Sequence, residues 1–455
     1  MKMQLAEIAK ALNIEPKQDW KGVMVTSVSF DTRTLHPGAL FIPLIAEHDG
    51  HQYLSQAIAK GAAATLWQDD HQAPAASFPT LEVADTLAAL QQLAKYYLTK
   101  INPKVVAVTG SNGKTTTKDM IAAILATSFN VKKTQENFNN QIGVPMTVLG
   151  MEPNTEILVV EMGMDHFGEL DHLSRLVSPD IAVITMIGEA HIEFFKTRDK
   201  IADAKMEITH GLKEDGLLVY NGDEPLLRQR TKDLEQETIT FGESENDDYQ
   251  VKNIVGDDKK TSFRVTKWPK IDFTVPMIGT YNVNNALAAL AVGDYFQLSP
   301  EKMISALNSF SATANRTQWV IGTQGEKILS DVYNSNPTAA RLVLQAFSAA
   351  PTAGKRIIVL GDMLELGVAS AKLHASLAQV IDPQKISQIF LCGEEVKFLQ
   401  EQLLHSFLPE QVHLYAKSDQ QQLIEDLKET IQANDLVLIK GSHGIHLENV
   451  LTALN

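Results

Sequence analysis

The hydrophobic pattern of the chain changes character twice and predicts three regions of α/β structure. Residues 1–98 open with an amphipathic helix pattern and continue with short alternating strands and helix–strand units. In residues 99–312, helical stretches separate continuous apolar runs, which are KVVAVT, EILVVEM and DIAVITM. Such runs are typical of buried parallel strands. We therefore predict a doubly wound α/β domain in the middle of the chain.

The pattern restarts in residues 313–455. Each short apolar strand there ends in a polar or glycine turn, and the strands are EKILSDVY, RIIVLGD, QIFLCGE and DLVLIKG. This pattern predicts a second, smaller Rossmann-like α/β domain, whose ligands would bind beyond the carboxyl ends of the strands. Residues 98–104, LTKINPK, are predicted to be a linker. Residues 249–267 are predicted to form an antiparallel meander.

Composition narrows the class of protein. The net charge of −15 argues against a broad nucleic-acid surface, because a phosphate backbone needs a basic face. No apolar stretch approaches the roughly 18–20 residues of a membrane span, and the N-terminus lacks the features of a signal peptide. Cys392 is the only cysteine, so no internal disulfide can form. These features favour a cytoplasmic protein.

The stretch TGSNGKTT, residues 109–116, predicts a phosphate-binding cradle. It follows an apolar strand and opens a helix, whose free N–H groups and positive dipole end attract anions. The glycines let the backbone approach a phosphate, the lysine adds a charge, and a threonine hydroxyl can bind Mg²⁺. An ordinary strand–turn–helix junction is the alternative. ATP is the expected nucleotide, and the candidate residues are Gly110, Ser111, Asn112, Gly113, Lys114, Thr115 and Thr116.

Polar residues at two later strand ends predict a metal site. Glu161 ends its strand and His191 follows the next, so both are expected on the same sheet edge as the cradle. Together with Thr115 they could hold Mg²⁺ against the phosphates, although imidazole is an unusual magnesium ligand. Taken alone, each could equally be a structural residue. Lys205 lies in a helical pattern that is typical of a surface lysine.

An amide-rich segment precedes the helix that begins near Gly143. Its sequence is TQENFNNQIGVP, residues 134–145. Asn137, Asn139 and Asn140 could line a polar substrate groove. A loop whose amides cap the next helix explains the same pattern.

Taken together, the motifs resemble the bacterial Mur ligase family along essentially the whole chain. They occur in family order and are VTGSNGKTTTK, NFNNQIGVP, VVEMGM, GEAHIEFF, AKMEI, GTYNVNNALAA, DVYNSNP, VLGDMLELG and KGSHGIHLENVL. The resemblance implies an ATP- and Mg²⁺-dependent amide ligase that works through an acyl phosphate. The type it favours adds D-alanyl-D-alanine to UDP-N-acetylmuramoyl-tripeptide in cytoplasmic peptidoglycan precursor synthesis. We expect the protein to be a monomer.

The same resemblance implies roles for individual residues. Glu161 and His191 match family magnesium ligands, and Lys205 matches a lysine that is carbamylated and can then bind a second Mg²⁺. Asn282 matches an adenine-contacting asparagine. Arg316 and Asp331 match residues that reach the nucleotide from the C-terminal domain. Residues 1–98 resemble the family's UDP-substrate domain, and the segment facing the UDP end is Asp31, Thr32 and Arg33.

Three other functions stay open. The family member that adds the third amino acid carries an Asp-Asn-Pro-Arg motif, whereas NSNPTAA has Thr338 after its proline and no arginine until Arg341. A non-enzymatic ATP-driven switch would need the cradle without Glu161, His191 and Lys205. A kinase would release a stable phosphorylated product instead of free phosphate.

Overall fold

The structure of the protein is a computed structural model that describes residues 1–72, 74, 77–311 and 316–455. The strands within these residues are, in chain order, β1 (Met3–Gln4), β2 (Met24–Val25), β3 (Ser27–Ser29), β4 (Ala39–Phe41), β5 (Ala64–Gln68), β6 (Thr80–Val83), β7 (Lys104–Thr109), β8 (Val131–Lys133), β9 (Ile157–Glu161), β10 (Ile181–Ile184), β11 (Leu217–Asn221), β12 (Glu237–Gly242), β13 (Tyr249–Gly256), β14 (Thr261–Val265), β15 (Trp268–Val275), β16 (Gln318–Ile321), β17 (Lys327–Asp331), β18 (Arg356–Gly361), β19 (Gln388–Cys392), β20 (Val412–Tyr415) and β21 (Leu436–Lys440).

The α-helices of the same residues are α1 (Leu5–Ala11), α2 (Leu54–Ala59), α3 (Thr86–Ile101), α4 (Lys114–Leu125), α5 (Gly143–Leu149), α6 (Glu169–Val177), α7 (Ile192–Phe195), α8 (Arg198–Met206), α9 (Pro225–Arg230), α10 (Thr280–Tyr295), α11 (Pro300–Asn308), α12 (Pro337–Ala349), α13 (Ser370–Ser376), α14 (Lys397–Leu403), α15 (Gln420–Thr430) and α16 (Glu448–Leu454). No helix in this part of the chain is both long enough and apolar enough to cross a membrane.

The chain divides into two compact units. The first unit consists of Met1–Val108, Ser128–Ala182 and Glu207–Leu217, and the second consists of Thr109–Thr127, Val183–Met206 and Leu218–Asn455. The domain boundary predicted between residues 312 and 313 lies outside the described residues. The boundary predicted between residues 98 and 99 stays a prediction.

The first unit contains two sets of parallel strands. One is a four-stranded sheet in the order β3-β4-β5-β6. In the other set, β9 pairs with β7 on one side and β8 on the other, and the register places Glu161 opposite Val108. The apolar runs predicted as buried strands are therefore strands here, and β7 has the bounds that the sequence pattern gives.

Helix α3 corrects the predicted linker. The Asp85 side chain accepts a hydrogen bond from Ala88 N–H and caps its start. The helix continues through Leu98–Ile101 and ends where Asn102 adopts a left-handed conformation, with φ of 54°. The linker predicted over 98–104 is wrong in its first half, because Tyr97 and its apolar neighbours on α3 are buried and hold the helix to its full length.

The second unit contains the predicted meander and the predicted Rossmann-like sheet. Strands β13, β14 and β15 pair antiparallel. A six-stranded sheet has the order β16-β17-β21-β18-β19-β20 and is parallel except at β16. Alternate residues of its strands enter different cores: Leu329 and Leu438 pack with helix α12, whereas Ile328 and Val437 pack with α15 and α16. Both faces are thus covered by helices, as the continuous apolar runs require.

Candidate functional site

The cradle predicted at residues 109–116 is a tight loop between β7 and α4. Gly110 and Gly113 have φ of 149° and 81°, which L side chains rarely adopt. A Cβ atom at Gly110 would clash with Thr185 Oγ1, and one at Gly113 would clash with the Asn285 side chain. Each glycine is therefore required by its torsion and by its neighbour, and the loop keeps its backbone open to a close anionic ligand.

Side chains of the second unit fix the shape of this loop. Thr185 Oγ1 donates to Asn112 O at 2.5 Å, and Ser111 N–H donates to Met186 O at 2.9 Å. Lys114, the first residue of α4, places its Nζ 2.9 Å from Gly110 O. A half-buried ammonium folded over a glycine loop at a helix N-terminus suits a polyphosphate. The cradle fits a nucleotide triphosphate on these grounds.

Two more predicted nucleotide residues lie beside the cradle. Arg316 reaches Thr115 Oγ1 at 3.5 Å, and its guanidinium lies 3.8 Å above the ring centroid of Tyr333. Asn282 is buried and accepts a hydrogen bond from Asn285, which in turn accepts one from Thr117 on α4. Packing of α10 along α4 brings the side chains of Asn282, Asn285 and Thr117 together. An adenine contact for Asn282 stays a prediction.

Asp331 lies at the end of β17, opposite Lys440 at the end of β21. The Lys440 ammonium, 1% exposed, donates to its carboxylate at 2.5 Å and to Asn334 O at 2.8 Å. Within the described residues, Asp331 is paired with this lysine and forms no hydrogen bond with the cradle. Its predicted reach to the nucleotide stays a prediction.

His191 precedes α7 in a left-handed conformation, with φ of 62°. Its Nδ1 lies 2.6 Å from Glu365 Oε2, but the two groups are not aligned as a hydrogen bond, so Nδ1 is buried without a hydrogen-bonding partner among the described residues. The Glu193 N–H also donates to Glu365 O at 3.0 Å. His191 is therefore held by a loop of the Rossmann-like sheet that sequence reasoning did not connect with it.

Glu161 lies in the first unit, as the last residue of β9. Its Oε1 accepts from Asn139 Nδ2 at 2.9 Å, and its N–H donates to Thr134 Oγ1 at 3.0 Å. Its Oε2 is buried without a donor among the described residues, in a side chain 2% exposed. A buried carboxylate oxygen without a partner is costly, and a hard cation such as Mg²⁺ would satisfy it.

The three predicted amides behave differently from one another. The Asn139 side chain donates a hydrogen bond to Glu161. The Asn140 side chain instead accepts hydrogen bonds from the N–H groups of Ile142 and Gly143 at the start of α5. Asn137 is exposed. The helix-capping interpretation is therefore confirmed for Asn140. A substrate role for all three stays a prediction.

The predicted UDP-facing segment is a turn in the first unit, in which Arg33 is exposed and Thr32 is buried. Arg33 forms a bidentate pair with Asp31, donating from Nε to Oδ1 at 3.0 Å and from Nη2 to Oδ2 at 2.7 Å, and this hydrogen bonding lowers the pKa of Asp31 below its ordinary value. Thr32 Oγ1 donates to Gln56 at 3.2 Å. Because the Arg33 side chain is 88% exposed, it is accessible to an anionic ligand.

The burial of Lys205 contradicts the interpretation of its sequence pattern as that of a surface lysine. Lys205 lies near the end of α8, and its side chain is among the largest that are fully buried, at 1% exposure. The α8 sequence is too polar for its periodicity to reveal a buried face, which is why the pattern was typical of a surface lysine. A buried amine there is compatible with carbamylation and incompatible with simple solvation.

A cluster of histidines and aspartates in the first unit was missed altogether. The His51 and His71 rings stack with centroids 3.9 Å apart, and Asp49 contacts His51 Nδ1 at 2.7 Å and His71 Nε2 at 3.0 Å. Burial raises the pKa of Asp49, but hydrogen bonds from both histidines outweigh this effect and lower the pKa to about 2. Asp70, and after it Asp49, raises the pKa of His71. The cluster ties the loop after β4 to the end of β5.

We expect His71→Gln to destabilise the protein more at pH 6 than at pH 9. The raised pKa means that the ionic contribution of His71 is complete below its unfolded pKa, about 6.5, and is lost as pH rises through the folded pKa. Thermal unfolding at both pH values measures the difference. His405→Gln, which removes an exposed histidine without a carboxylate partner in the described residues, should have equal effects at both. A pH-independent loss for His71→Gln would contradict the ionic role.

Contacts that the sequence did not predict surround the cradle. Asn112 and Asn336 exchange two side-chain hydrogen bonds, at 3.2 and 2.7 Å. Glu189 accepts from Thr338 N–H at 3.1 Å and from Thr338 Oγ1 at 2.6 Å. Thr185 could have been found, because it is a polar residue near the end of the predicted strand DIAVITM. The two pairs could not, because no local pattern joins residues so far apart.

A glycine loop at a helix N-terminus, with a lysine and a distant arginine over it, defines a P-loop type of α/β nucleotide-binding protein. Family models match three successive segments: "Mur ligase family, catalytic domain" at 24–98, "Mur ligase middle domain" at 108–293 and "Mur ligase, glutamate ligase domain" at 315–443. The chain therefore belongs to the Mur ligase family.

Relatives and solved structures agree with this assignment. The chain is 42% identical, over 99% of its length and 97% of the relative's, to the UDP-N-acetylmuramoyl-tripeptide–D-alanyl-D-alanine ligase of Bacillus subtilis. It is 32% identical to the Escherichia coli protein of the same name, over 95% and 94% of the two chains. A MurF structure from Acinetobacter baumannii superposes with a TM-score of 0.87 at 26% identity, over 99% and 98%. A Thermotoga maritima MurF ligase in complex with ADP gives 0.82 at 27% identity, over 95% and 98%.

Proposed function

We propose that the protein is an ATP-dependent amide ligase that adds D-alanyl-D-alanine to UDP-N-acetylmuramoyl-tripeptide in cytoplasmic peptidoglycan precursor synthesis. The observation that carries the proposal is 42% identity, over 99% of the chain, to a relative named for this reaction. The intact glycine cradle supports it, because the chemistry depends on holding ATP. We further propose that the protein acts as a monomer and that the nucleotide contacts include Asn282 and Asp331.

The reaction activates a carboxylate, which is otherwise a poor electrophile. A carboxylate oxygen of the tripeptide attacks the γ-phosphorus of ATP, and ADP leaves with the electron pair of the broken P–O bond. The dipeptide amine then attacks the acyl-phosphate carbonyl, loses a proton and expels inorganic phosphate. Lys114 and the N-terminus of α4 neutralise the phosphate charge, and Arg316 adds a second cation from beyond the cradle. The work of the chain is thus positioning and charge stabilisation.

A divalent cation fits the donors that the chain provides. Thr115, Glu161 and His191 would hold Mg²⁺, and the uncompensated Glu161 Oε2 supports that assignment. When bound, Mg²⁺ would withdraw charge from the phosphate oxygens. Lys205, if carbamylated, would present a carboxylate in place of an ammonium and could serve a second ion.

Substrate contacts in the first unit are proposed on the same basis. Asn139 is fixed by Glu161 and is therefore close to the proposed metal. Asn137 and Asn140 would line the peptide path beside it. The turn formed by Asp31, Thr32 and Arg33 would face the UDP end, where the exposed Arg33 can meet a diphosphate.

A matrix of substrates tests the proposal directly. UDP-muramyl dipeptide and tripeptide are each combined with D-Ala-D-Ala, D-Ala, L-lysine or diaminopimelate, and ADP and free phosphate are measured. We expect ADP and phosphate in equal amounts only for tripeptide with D-Ala-D-Ala. Turnover of the UDP-dipeptide with a single amino acid would instead favour the ligase that adds the third residue. ADP without free phosphate would indicate a kinase.

A further inference from the structure

The carboxylate of Glu189 contacts the start of α12 through only one of its two oxygens. Glu189 is partly buried, and Thr338 donates both its hydrogen bonds to one oxygen, Oε2. No described residue donates to the other oxygen, Oε1. Thr338 is the second residue of α12, so the positive end of the helix dipole further stabilises the anion. A fixed carboxylate with one free oxygen is a receptor for a cationic group.

The same helix supplies a cation with no partner. Arg341 is partly buried and forms no hydrogen bond or ion pair with any described residue. It follows Thr338 by three positions, so the two side chains leave neighbouring points of one helix face, about 4.5 Å apart along the axis. Because no described residue engages it, the Arg341 guanidinium is available to a ligand. Its planar fork matches the geometry of a carboxylate or a phosphate, and of these the dipeptide carries a carboxylate.

Both charges lie close to the cradle. Gly188, which precedes Glu189, approaches Ser111 and Asn112 so closely that a Cβ atom there would lie 3.4 and 3.3 Å from their side chains. Asn336, which caps α12, is joined to Asn112 by the reciprocal amide pair. Glu189 is therefore beside the cradle, and Arg341 lies one helical turn further along α12.

We infer that Glu189 and Arg341 bind the two ends of the incoming dipeptide, with Glu189 receiving its ammonium group and Arg341 its carboxylate. This inference rests on the proposed function and names the second substrate's subsite. The amine has to face the activated carbonyl at the cradle, which assigns it to the nearer charge. An extended dipeptide spans about 7 Å. Glu189 contacts Thr338, and Arg341 begins about 4.5 Å further along the same helix, with a long side chain to cover the remainder. The occupant is therefore a zwitterion about two residues long.

The test compares D-Ala-D-Ala with its C-terminal amide, which lacks the carboxylate charge. The wild-type protein is expected to show a KM at least about tenfold higher for the amide, the usual effect of losing a charged hydrogen bond. Arg341→Gln should raise the KM for D-Ala-D-Ala by a similar factor, reduce the preference over the amide to less than about threefold, and leave the KM values for ATP and UDP-tripeptide unchanged. Arg341→Lys should restore part of the preference. The control Lys428→Gln removes an exposed charge from α15 and should change none of these values.

Glu189→Gln separates recognition from a tethering role. If Glu189 receives the ammonium, the KM for the dipeptide rises while those for ATP and UDP-tripeptide stay unchanged. If Glu189 only anchors α12, all three KM values shift together or only the melting temperature falls, and its part of the inference is overturned.

The outcomes also distinguish the subsite from the proposed function. If the wild-type protein turns over neither dipeptide form, the proposed function fails. If it uses acid and amide equally well, ligase activity stands and the Arg341 assignment is wrong. The wild-type comparison decides this even if an Arg341 variant does not fold.

Discussion

Replacing Lys114 with alanine is expected to lower kcat by about 10²–10³-fold or more, the effect of removing one preorganised charge from a transition state. The Lys114 ammonium lies over the cradle, 2.9 Å from Gly110 O. There it can stabilise the negative charge that is redistributed over the phosphate oxygens as the γ-phosphoryl group is transferred. The glycine loop and helix N-terminus remain in the variant, so ATP should still bind, although more weakly. The larger loss is expected in kcat, because the lysine charge stabilises the transition state of phosphoryl transfer more than it stabilises bound ATP.

The fold of the Lys114→Ala variant should be unaffected. The side chain is half-buried, at the first position of α4, and alanine is a favourable helix residue there. ADP release with saturating substrates measures kcat, and thermal unfolding checks integrity. Lys385→Ala, which removes an exposed lysine from the same unit, is the matched control and should behave as wild type. A folded Lys114→Ala variant with normal kcat would rule out the cradle as the phosphate site.

Local patterns were sufficient to predict the cradle and the strands around it. The TGSNGKTT stretch contains its glycines, lysine and helix start within eight residues, and β7 ends where its apolar run ends. Glu161 was likewise predictable as the last residue of a buried strand. Each of these features depends on residues adjacent in sequence, so periodicity and turn chemistry are enough to identify them.

The remaining part of the site depends on contacts between distant residues. The Asn112–Asn336 pair joins residues 224 positions apart, and Glu189 meets Thr338 across 149 positions. No periodicity encodes such pairs, because either partner alone is an ordinary polar residue of a loop or a helix start. The burial of Lys205 could not be predicted for a related reason. It depends on the elements packed around α8, whereas the sequence of α8 itself is polar.

The burial of Lys205 makes its chemical form an experimental question. A desolvated ammonium is unfavourable, and the family resemblance implies that the amine reacts with CO₂ to give a carbamate. The ammonium first loses one proton, and the reaction of the amine with CO₂ releases a second, so a cation is replaced by a carboxylate, which suits a magnesium site. The two forms have opposite charge, so they predict opposite chemical rescue.

Lys205→Ala is expected to lower kcat by about 10²-fold or more, and formate or acetate should restore part of the activity. The truncated side chain leaves space inside the second unit, and a small carboxylate can enter it and supply the missing anion. If the working group is the ammonium, methylamine should restore activity and the carboxylates should not, which would contradict carbamylation. Lys200→Ala is the control, because Lys200 lies on the same helix but is exposed. It should retain full activity without either additive, so a rescue confined to Lys205→Ala would locate the effect at the buried position.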